Sequence, residues 1–172
     1  MKKLVAFLSA IAAVLCMLFS ATAANASMDG PCSGLGLMTT NVMYGTCGVT
    51  SPAHASATFS NDGSTVTLKK VGSGQAASFW QSNGPIAGSV SSICVTVSLD
   101  ITGRASGEQR VVLSANGHIT SQSFPLSAGI QQYCSYPDPA DTNVWWQLIT
   151  YLGDKPNGKA IVTETLIGVA FS

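Results

Sequence analysis

The stretch that decides the fold reads Ile93-Cys94-Val95-Thr96-Val97-Ser98-Leu99-Asp100-Ile101-Thr102. Apolar side chains at the odd positions alternate strictly with polar side chains or cysteine at the even positions. Successive side chains of a β-strand point to opposite faces of the sheet. This pattern therefore predicts a strand with one buried face and one polar face.

Similar runs lie on both sides of this stretch and are separated by turn residues. Asn116-Gly117 is a dipeptide typical of tight hairpin turns, so the runs before and after it should pair. Asp62-Gly63 predicts a second hairpin in the same way. Besides the stretch quoted above, the predicted strands are Ala55–Phe59, Thr65–Val71, Ala76–Gln81, Arg110–Asn116, His118–Phe124, Val144–Leu152 and Ala160–Phe171.

Two segments have weaker patterns. Ser27–Gly48 is rich in Gly and Met and is expected to be irregular, with one strand near Gly36–Tyr44. Leu126–Asp141 is expected to be a loop or weak strand, and residues 154–158 to form a turn. No stretch has helical periodicity, so the predicted fold is an all-β antiparallel sandwich.

Residues 1–26 are predicted to be a cleaved signal peptide. Lys2 and Lys3 precede an apolar run, Leu4–Phe19, and Ala24-Asn25-Ala26 supplies the small-x-small cleavage pattern. A membrane anchor is the alternative, but about 16 apolar residues are short for a bilayer span. A secreted or periplasmic protein of bacterial type is therefore expected, with a single domain at residues 27–172.

The charge pattern limits the classes of partner. Only 9% of the 172 residues are charged, and removing Lys2 and Lys3 leaves six basic residues against eight acidic ones. The basic residues are scattered and form no stripe that could hold phosphates, so no nucleic-acid partner is expected. No amphipathic helix is evident, so no membrane partner is expected after signal cleavage.

Four cysteines follow the predicted cleavage site: Cys32, Cys47, Cys94 and Cys134. An even number in an exported chain predicts two disulfides. Three pairings are possible, and we favour Cys32–Cys47 with Cys94–Cys134 because each lies within one half of the chain. A metal site is the alternative, but none of these cysteines has Cys-x-x-Cys spacing.

Aromatic side chains are the leading candidates for a ligand surface. Trp145 and Trp146 must point to opposite faces of their strand, and Trp146 shares its face with Leu148 and Leu152. We therefore expect Trp146 in the core and Trp145 at the surface. The proposed ligand-binding residues are Trp145, Tyr151, Gln147 and Trp80. Tyr133 and Tyr136 are further aromatic candidates, and the further polar candidates are Gln81, Asp100, Arg110 and Asn116.

Signals for catalysis and for metal binding are weak. His54 and His118 are the only imidazoles, and neither lies in a Gly-x-Ser-x-Gly elbow. No catalytic residue is therefore proposed. No cofactor or metal is predicted either, although Asp62, Asp138, Asp141 and Asp154 offer oxygens for a structural calcium ion. Their spacing favours turn roles instead.

Residues 93–172 resemble galactose-binding-like jelly rolls, which include sugar-binding modules attached to many bacterial glycoside hydrolases. The resemblance rests on the strand Arg110-Val111-Val112-Leu113 after a short Arg/Ser/Gly loop. It rests also on the strand Trp146–Tyr151, which is followed by a Gly-containing turn and a final apolar strand. The four cysteines, the N-terminal stretch and the loop before Trp145 depart from that pattern. The resemblance implies a jelly-roll fold and carbohydrate binding.

The leading hypothesis is thus a secreted, non-catalytic protein that binds a glycan. A secreted protein-interaction module, such as an inhibitor, effector or envelope component with a protein ligand, is the alternative. An uncharacterised hydrolase is a third hypothesis, and it requires His54 or His118 to lie within hydrogen-bond reach of an acid.

Overall fold

A computed structural model describes residues 32–50, 53–153 and 158–172. The predicted signal peptide and most of the turn predicted at residues 154–158 lie outside these ranges. Within them the chain forms strands and no helix, so it has no helix that could span a membrane. The strands are β1 (Cys32–Thr39), β2 (Val42–Thr50), β3 (Ala55–Phe59), β4 (Thr65–Val71), β5 (Gln75–Ser82), β6 (Ile93–Gly103), β7 (Gly107–Ala115), β8 (His118–Pro125), β9 (Gly129–Ser135), β10 (Trp145–Leu152) and β11 (Lys159–Phe171).

The strands form two antiparallel sheets. Sheet A has the order β1-β2-β5-β10-β7-β8, and sheet B has the order β3-β4-β11-β6-β9. Strands β4 to β11 alone place four strands in each sheet, in the orders β5-β10-β7-β8 and β4-β11-β6-β9. Eight consecutive strands interleaved in this way are a jelly roll. The predicted fold class is confirmed, with β3 added to one sheet and the β1–β2 hairpin to the other.

Strand β6 shows why the alternating sequence produces this arrangement. Its odd-numbered residues Ile93 to Leu99 are buried between the sheets, and its even-numbered residues face outward. Each apolar side chain buried in this way stabilises the fold by about 1.5–3 kcal/mol. Strand β6 lies between β11 and β9, so its buried face forms part of the centre of the core.

The core contains two of the three tryptophans. Trp80 on β5 is fully buried, and its Nε1 donates a hydrogen bond to the Gly63 carbonyl oxygen at 2.8 Å. Trp146 on β10 is 2% exposed, as the alternation of that strand predicted. Both side chains point inward from sheet A, since Leu148 on β10 is the register partner of Trp80.

Both predicted disulfides are present, and each ties an edge strand to its neighbour. Cys32 on β1 is bonded to its register partner Cys47 on β2. Cys94 on β6 is bonded to its register partner Cys134 on β9. Edge strands have unpaired backbone groups along one side, and each cross-link holds one edge strand of its sheet to the neighbouring strand.

The structure differs from the prediction in two segments. Residues 32–50 form the β1–β2 hairpin instead of an irregular stretch with one strand, and of the two alternatives predicted for Leu126–Asp141, a loop or a weak strand, residues 129–135 form the strand β9. Both β1 and β9 are edge strands, and the side chains of β1 are mostly exposed, so its sequence lacks apolar alternation. Glycine in β2 also serves packing, because a Cβ on Gly45 would lie 2.5 Å from the Phe79 ring.

The two predicted hairpins are confirmed. Asn116 and Gly117 both have positive φ, 49° and 80°, as a tight turn between β7 and β8 requires. Gly63, with φ of 71°, occupies the turn between β3 and β4. Its carbonyl is the acceptor for Trp80, so this turn also closes over the core.

Candidate functional site

The outer face of sheet A carries three of the four residues that the sequence analysis proposed as ligand contacts, namely Trp145, Gln147 and Tyr151. Trp145, Gln147, Ile149 and Tyr151 follow one another on the outer side of β10. Trp145 is 43% exposed, although it lies beside the buried Trp146. Strand alternation therefore separates a packing tryptophan from one that is open to solvent.

A pocket of about 330 Å³ lies beside Trp145. Register determines its other walls, because Trp145 pairs with Ser114 on β7, and Gln147 pairs with Val112 on β7 and Gln81 on β5. The pocket is lined by Gln81, Val112, Ser114, Trp145, Trp146 and Gln147. Residues of three neighbouring strands, β5, β7 and β10, thus line one shallow site that contains an indole ring and two side-chain amides.

Two glutamine side chains form the polar part of the pocket. Gln147 Nε2 donates a hydrogen bond to Gln81 Oε1 at 3.2 Å, and Gln81 Nε2 lies 4.0 Å from the sulfur of Met43. A primary amide has two N–H donors and an oxygen with two lone pairs. Among the described residues, no further hydrogen-bond partner is found for the Gln147 oxygen or for the second N–H of each amide.

None of the described residues that line the pocket is charged. Charged groups lie beyond the lining in both directions along β7. Arg110 and Glu108 are register partners of Ile149 and Tyr151 and form an ion pair, and Arg110 Nε also donates to the Ser123 hydroxyl. Toward the other end, Asp141 accepts a hydrogen bond from Asn116 Nδ2, two residues after Ser114.

Tyr151 lies on the same face as Trp145 but outside the pocket. It is half-buried and packs with Ile149 against a small cluster of Cys47, Ala77 and Phe79. Six residues of extended strand separate Tyr151 from Trp145, a distance of about 20 Å. The structure therefore brings Trp145 and Gln147 together and places Tyr151 at the far end of the same strand.

Trp80, the fourth predicted ligand residue, lies in the core and has no exposed surface. Its ring packs edge-on against Phe59, with centroids 5.6 Å apart. A buried indole needs a partner for its N–H, which the Gly63 carbonyl supplies. We therefore leave Trp80 out of the candidate surface.

The other polar candidates are dispersed. Gln81 lines the pocket, whereas Asp100 lies at the exposed surface of sheet B and Asn116 in the β7–β8 turn. Tyr133 is buried, and Tyr136 is exposed just after β9. Val112 and Ser114 were not predicted, although Val112 is an apolar residue on the polar face of its strand. Their role depends on the pairing of β7 with β10, which no local pattern encodes.

The two histidines lie far apart in the fold. His54 directly precedes β3 in sheet B, and His118 begins β8 at the edge of sheet A. Neither imidazole forms an ion pair or a side-chain hydrogen bond within the described ranges. The histidine–acid pair that the hydrolase hypothesis requires is therefore not found in this part of the chain.

Two of the aspartates, Asp62 and Asp138, stabilise turns. Asp62 accepts hydrogen bonds from the Ser60 hydroxyl at 2.6 Å and from the Ser64 backbone N–H at 3.1 Å. The hydrogen bonds from Ser60 and Ser64 lower the pKa of this carboxyl. Asp138 accepts from the Ala140 N–H at 2.9 Å. No cluster of three or more metal-ligating side chains occurs among the described residues.

Comparison with known proteins gives structural neighbours only. No family model and no curated protein matches the chain. A structure of TmCBM61 with beta-1,4-galactotriose is 8% identical with a TM-score of 0.45, covering 76% of this chain and 88% of that one. A CBM4 structure is 13% identical with a TM-score of 0.43, covering 75% and 94%. A family 16 carbohydrate-binding module is 13% identical with a TM-score of 0.41, covering 72% and 90%.

These three structures are carbohydrate-binding modules, and the chain is similar to them at identities of 8–13% and TM-scores below 0.5. The β-sandwich that the resemblance in residues 93–172 implied is seen in the two sheets of the chain itself.

Proposed function

We propose that this protein is a non-catalytic binding protein that takes a neutral carbohydrate in the pocket beside Trp145. The observation that carries the proposal is the exposed indole of Trp145 next to the Gln81–Gln147 amide pair. Tyr151, on the same face, is a more distant candidate contact. The protein acts outside the cytoplasm, in line with its two disulfides and its predicted signal peptide.

The two parts of the pocket match the two surfaces of a sugar ring. The C–H groups of a pyranose form an apolar face that stacks on a flat aromatic side chain, as apolar ligand surfaces generally do. Its hydroxyls both donate and accept hydrogen bonds. The free Gln147 oxygen and the free amide N–H groups can satisfy two neighbouring hydroxyls together.

The absence of charge in the pocket lining selects against ionic ligands. A carboxylate or sulfate moved into this site would lose hydration without gaining a cationic partner. The Arg110 guanidinium is held by Glu108 on the same face, which offsets its charge. Neutral glycans are therefore favoured over uronic acids and sulfated chains.

The test is binding of immobilised neutral polysaccharides by the wild type and by Trp145→Ala. We expect the substitution to weaken binding at least about tenfold, a loss of roughly 1.4 kcal/mol, because the stacking surface is removed. Isothermal titration calorimetry with the bound glycan gives the affinities, and circular dichroism verifies the fold.

Tyr136→Ala is the matched control, because it removes a 68% exposed aromatic ring outside the pocket. The affinity of Tyr136→Ala for the glycan should equal that of the wild type. Equal binding by the Trp145 variant, or no binding of any neutral glycan by the wild type, would contradict the proposal.

A further inference from the structure

A second pocket, of about 240 Å³, opens at the end of the sandwich where β5 ends. Its lining includes Asn41, Asn83, Ile86 and Phe171. Asn41 comes from the β1–β2 turn, Asn83 and Ile86 from the loop after β5, and Phe171 from the end of β11. We call it the end pocket, and the function proposed above does not use it.

The end pocket adjoins the Trp145 pocket. Gln81 lines the Trp145 pocket and the next residue, Ser82, lines the end pocket, while Trp146 contributes to both. Gln147 pairs with Gln81, so continuing this antiparallel register by two residues places Asn83 opposite Trp145. Asn83 therefore stands at the rim between the two pockets.

The rim is held in place by the backbone of the neighbouring turn. The Asn83 N–H donates to the Asn41 carbonyl oxygen at 2.8 Å, and Asn83 Nδ2 donates to the Thr40 carbonyl oxygen at 3.0 Å. Both bonds use N–H groups of Asn83, so its side-chain oxygen can accept a hydrogen bond from a ligand. The loop after β5 is also held to the residue that precedes β10, because the Ile86 N–H donates to the Val144 carbonyl oxygen at 2.9 Å.

The end pocket repeats the chemistry of the Trp145 pocket. Phe171 is 49% exposed and supplies an aromatic surface, and Asn41 and Asn83 supply amides. Its lining, like that of the Trp145 pocket, contains no charged side chain. Two neutral sites of aromatic and amide character thus lie side by side around the start of β10.

We infer that the end pocket is a second subsite for the same glycan, so that the protein recognises a chain of two or more sugar units. The inference rests on the function proposed above. Pockets that enclose a drug-sized ligand are typically about 300–1,000 Å³. The Trp145 pocket, of about 330 Å³, is at the lower end of that range, and the end pocket, of about 240 Å³, is below it. A ligand that occupies both pockets buries more surface than either pocket can bury by itself.

The test uses size-graded oligosaccharides of β-1,4-linked glucose, mannose and galactose, from the monosaccharide upward. We expect wild-type affinity to rise at least about tenfold when the chain becomes long enough to reach the end pocket. Phe171→Ala should remove this rise and leave the affinity for the shortest bound ligand unchanged. Ile167→Ala is the matched control, since it removes a 54% exposed apolar side chain from the same strand outside the pocket.

A second readout separates the subsites directly. In NMR titrations, the Asn83 side-chain amide should shift with the longer oligosaccharides and stay in place with the shortest one. An increase of affinity with length that persists in Phe171→Ala, or no increase in the wild type, would overturn the second subsite. In that case weaker binding by Trp145→Ala would still support the proposed function, whereas binding that is unchanged in Trp145→Ala, or absent in the wild type, would overturn both.

Discussion

Glu164 is the most unusual residue of the core. It points inward from β11 and is fully buried between the sheets. Gln109 on β7 donates a hydrogen bond to Glu164 Oε1, while Oε2 has no hydrogen-bond partner among the described residues. Burial raises the pKa of this carboxyl to about 7, although hydrogen bonds from Thr150 and Gln109 oppose the shift.

The ionisable groups around Glu164 do not compensate its charge. Tyr133 on β9 also faces the core, and burial, with a smaller effect of the Glu164 charge, raises its pKa to about 12. Lys70 on β4 is buried as well, but its ammonium donates to the Gly153 carbonyl oxygen. The carboxyl is therefore most stable in its protonated form, and ionising it costs folding free energy.

We predict that stability falls as the pH rises through the window from 4.5 to about 7. In this window the folded protein holds the Glu164 proton and the unfolded chain has released it, so the folded state binds more protons. The stabilising contribution of protonated Glu164 is fully present below pH 4.5 and is lost above about pH 7. The loss amounts to roughly 3 kcal/mol, at 1.36 kcal/mol for each pKa unit.

The measurement is urea denaturation at a series of pH values. Glu164→Gln, which keeps the shape and cannot ionise, should flatten the dependence in this window. Glu108→Gln removes a carboxylate that pairs with Arg110 at the surface and should leave the slope as it is. If the slope of the unfolding free energy against pH is the same in Glu164→Gln as in the wild type, the pH dependence arises from other groups.

At the scale of elements, the two disulfides join adjacent strands in the same way but close loops of different length. Each joins register partners on adjacent strands, but the loops span 15 residues for Cys32–Cys47 and 40 for Cys94–Cys134. A cross-link stabilises mainly by restricting the unfolded chain, and the restriction grows with the length of the loop. The β6–β9 link should therefore contribute more than the β1–β2 link.

We predict that Cys32→Ala with Cys47→Ala lowers the free energy of unfolding by about 3 kcal/mol, and Cys94→Ala with Cys134→Ala by about 4 kcal/mol. Urea denaturation of the two double variants against the wild type measures both values. The reverse order would mean that native-state packing around Cys47, which is fully buried, outweighs chain entropy.

At the scale of the whole molecule, one core holds both sheets together. Inward residues of sheet A, such as Trp146 and Leu148, belong to the same buried cluster as Val95 and Val97 of sheet B. Within this core, Gln109 of sheet A donates a hydrogen bond to Glu164 of sheet B. Neither sheet can bury its apolar face without the other.

A single cooperative unfolding transition is therefore expected when the disulfides are intact. In differential scanning calorimetry, the calorimetric and van't Hoff enthalpies should agree. Two resolved transitions would show that the sheets, or the added β1–β2 hairpin, unfold independently.

The sequence by itself determined the strands β3 to β8, β10 and β11 and which residues share a face of each. Alternation in β6 and β10 assigned the buried face of Val95 and the opposite positions of Trp145 and Trp146, because side-chain direction in a strand follows from backbone geometry alone. The turn at Asn116-Gly117 was predictable for the same local reason. The even number of cysteines indicated two disulfides, and their spacing favoured the pairing found.

Outside the two predicted hairpins, only the tertiary structure decided which strands meet. Gln81 and Gln147 are 66 positions apart, and their contact exists because β5 pairs with β10. The burial of Trp80 and the proximity of Asn83 to Trp145 also depend on the pairing of β5 with β10. A local pattern specifies which residues of one strand share a face, whereas long-range packing selects the neighbouring strand and register, and so assembles both pockets.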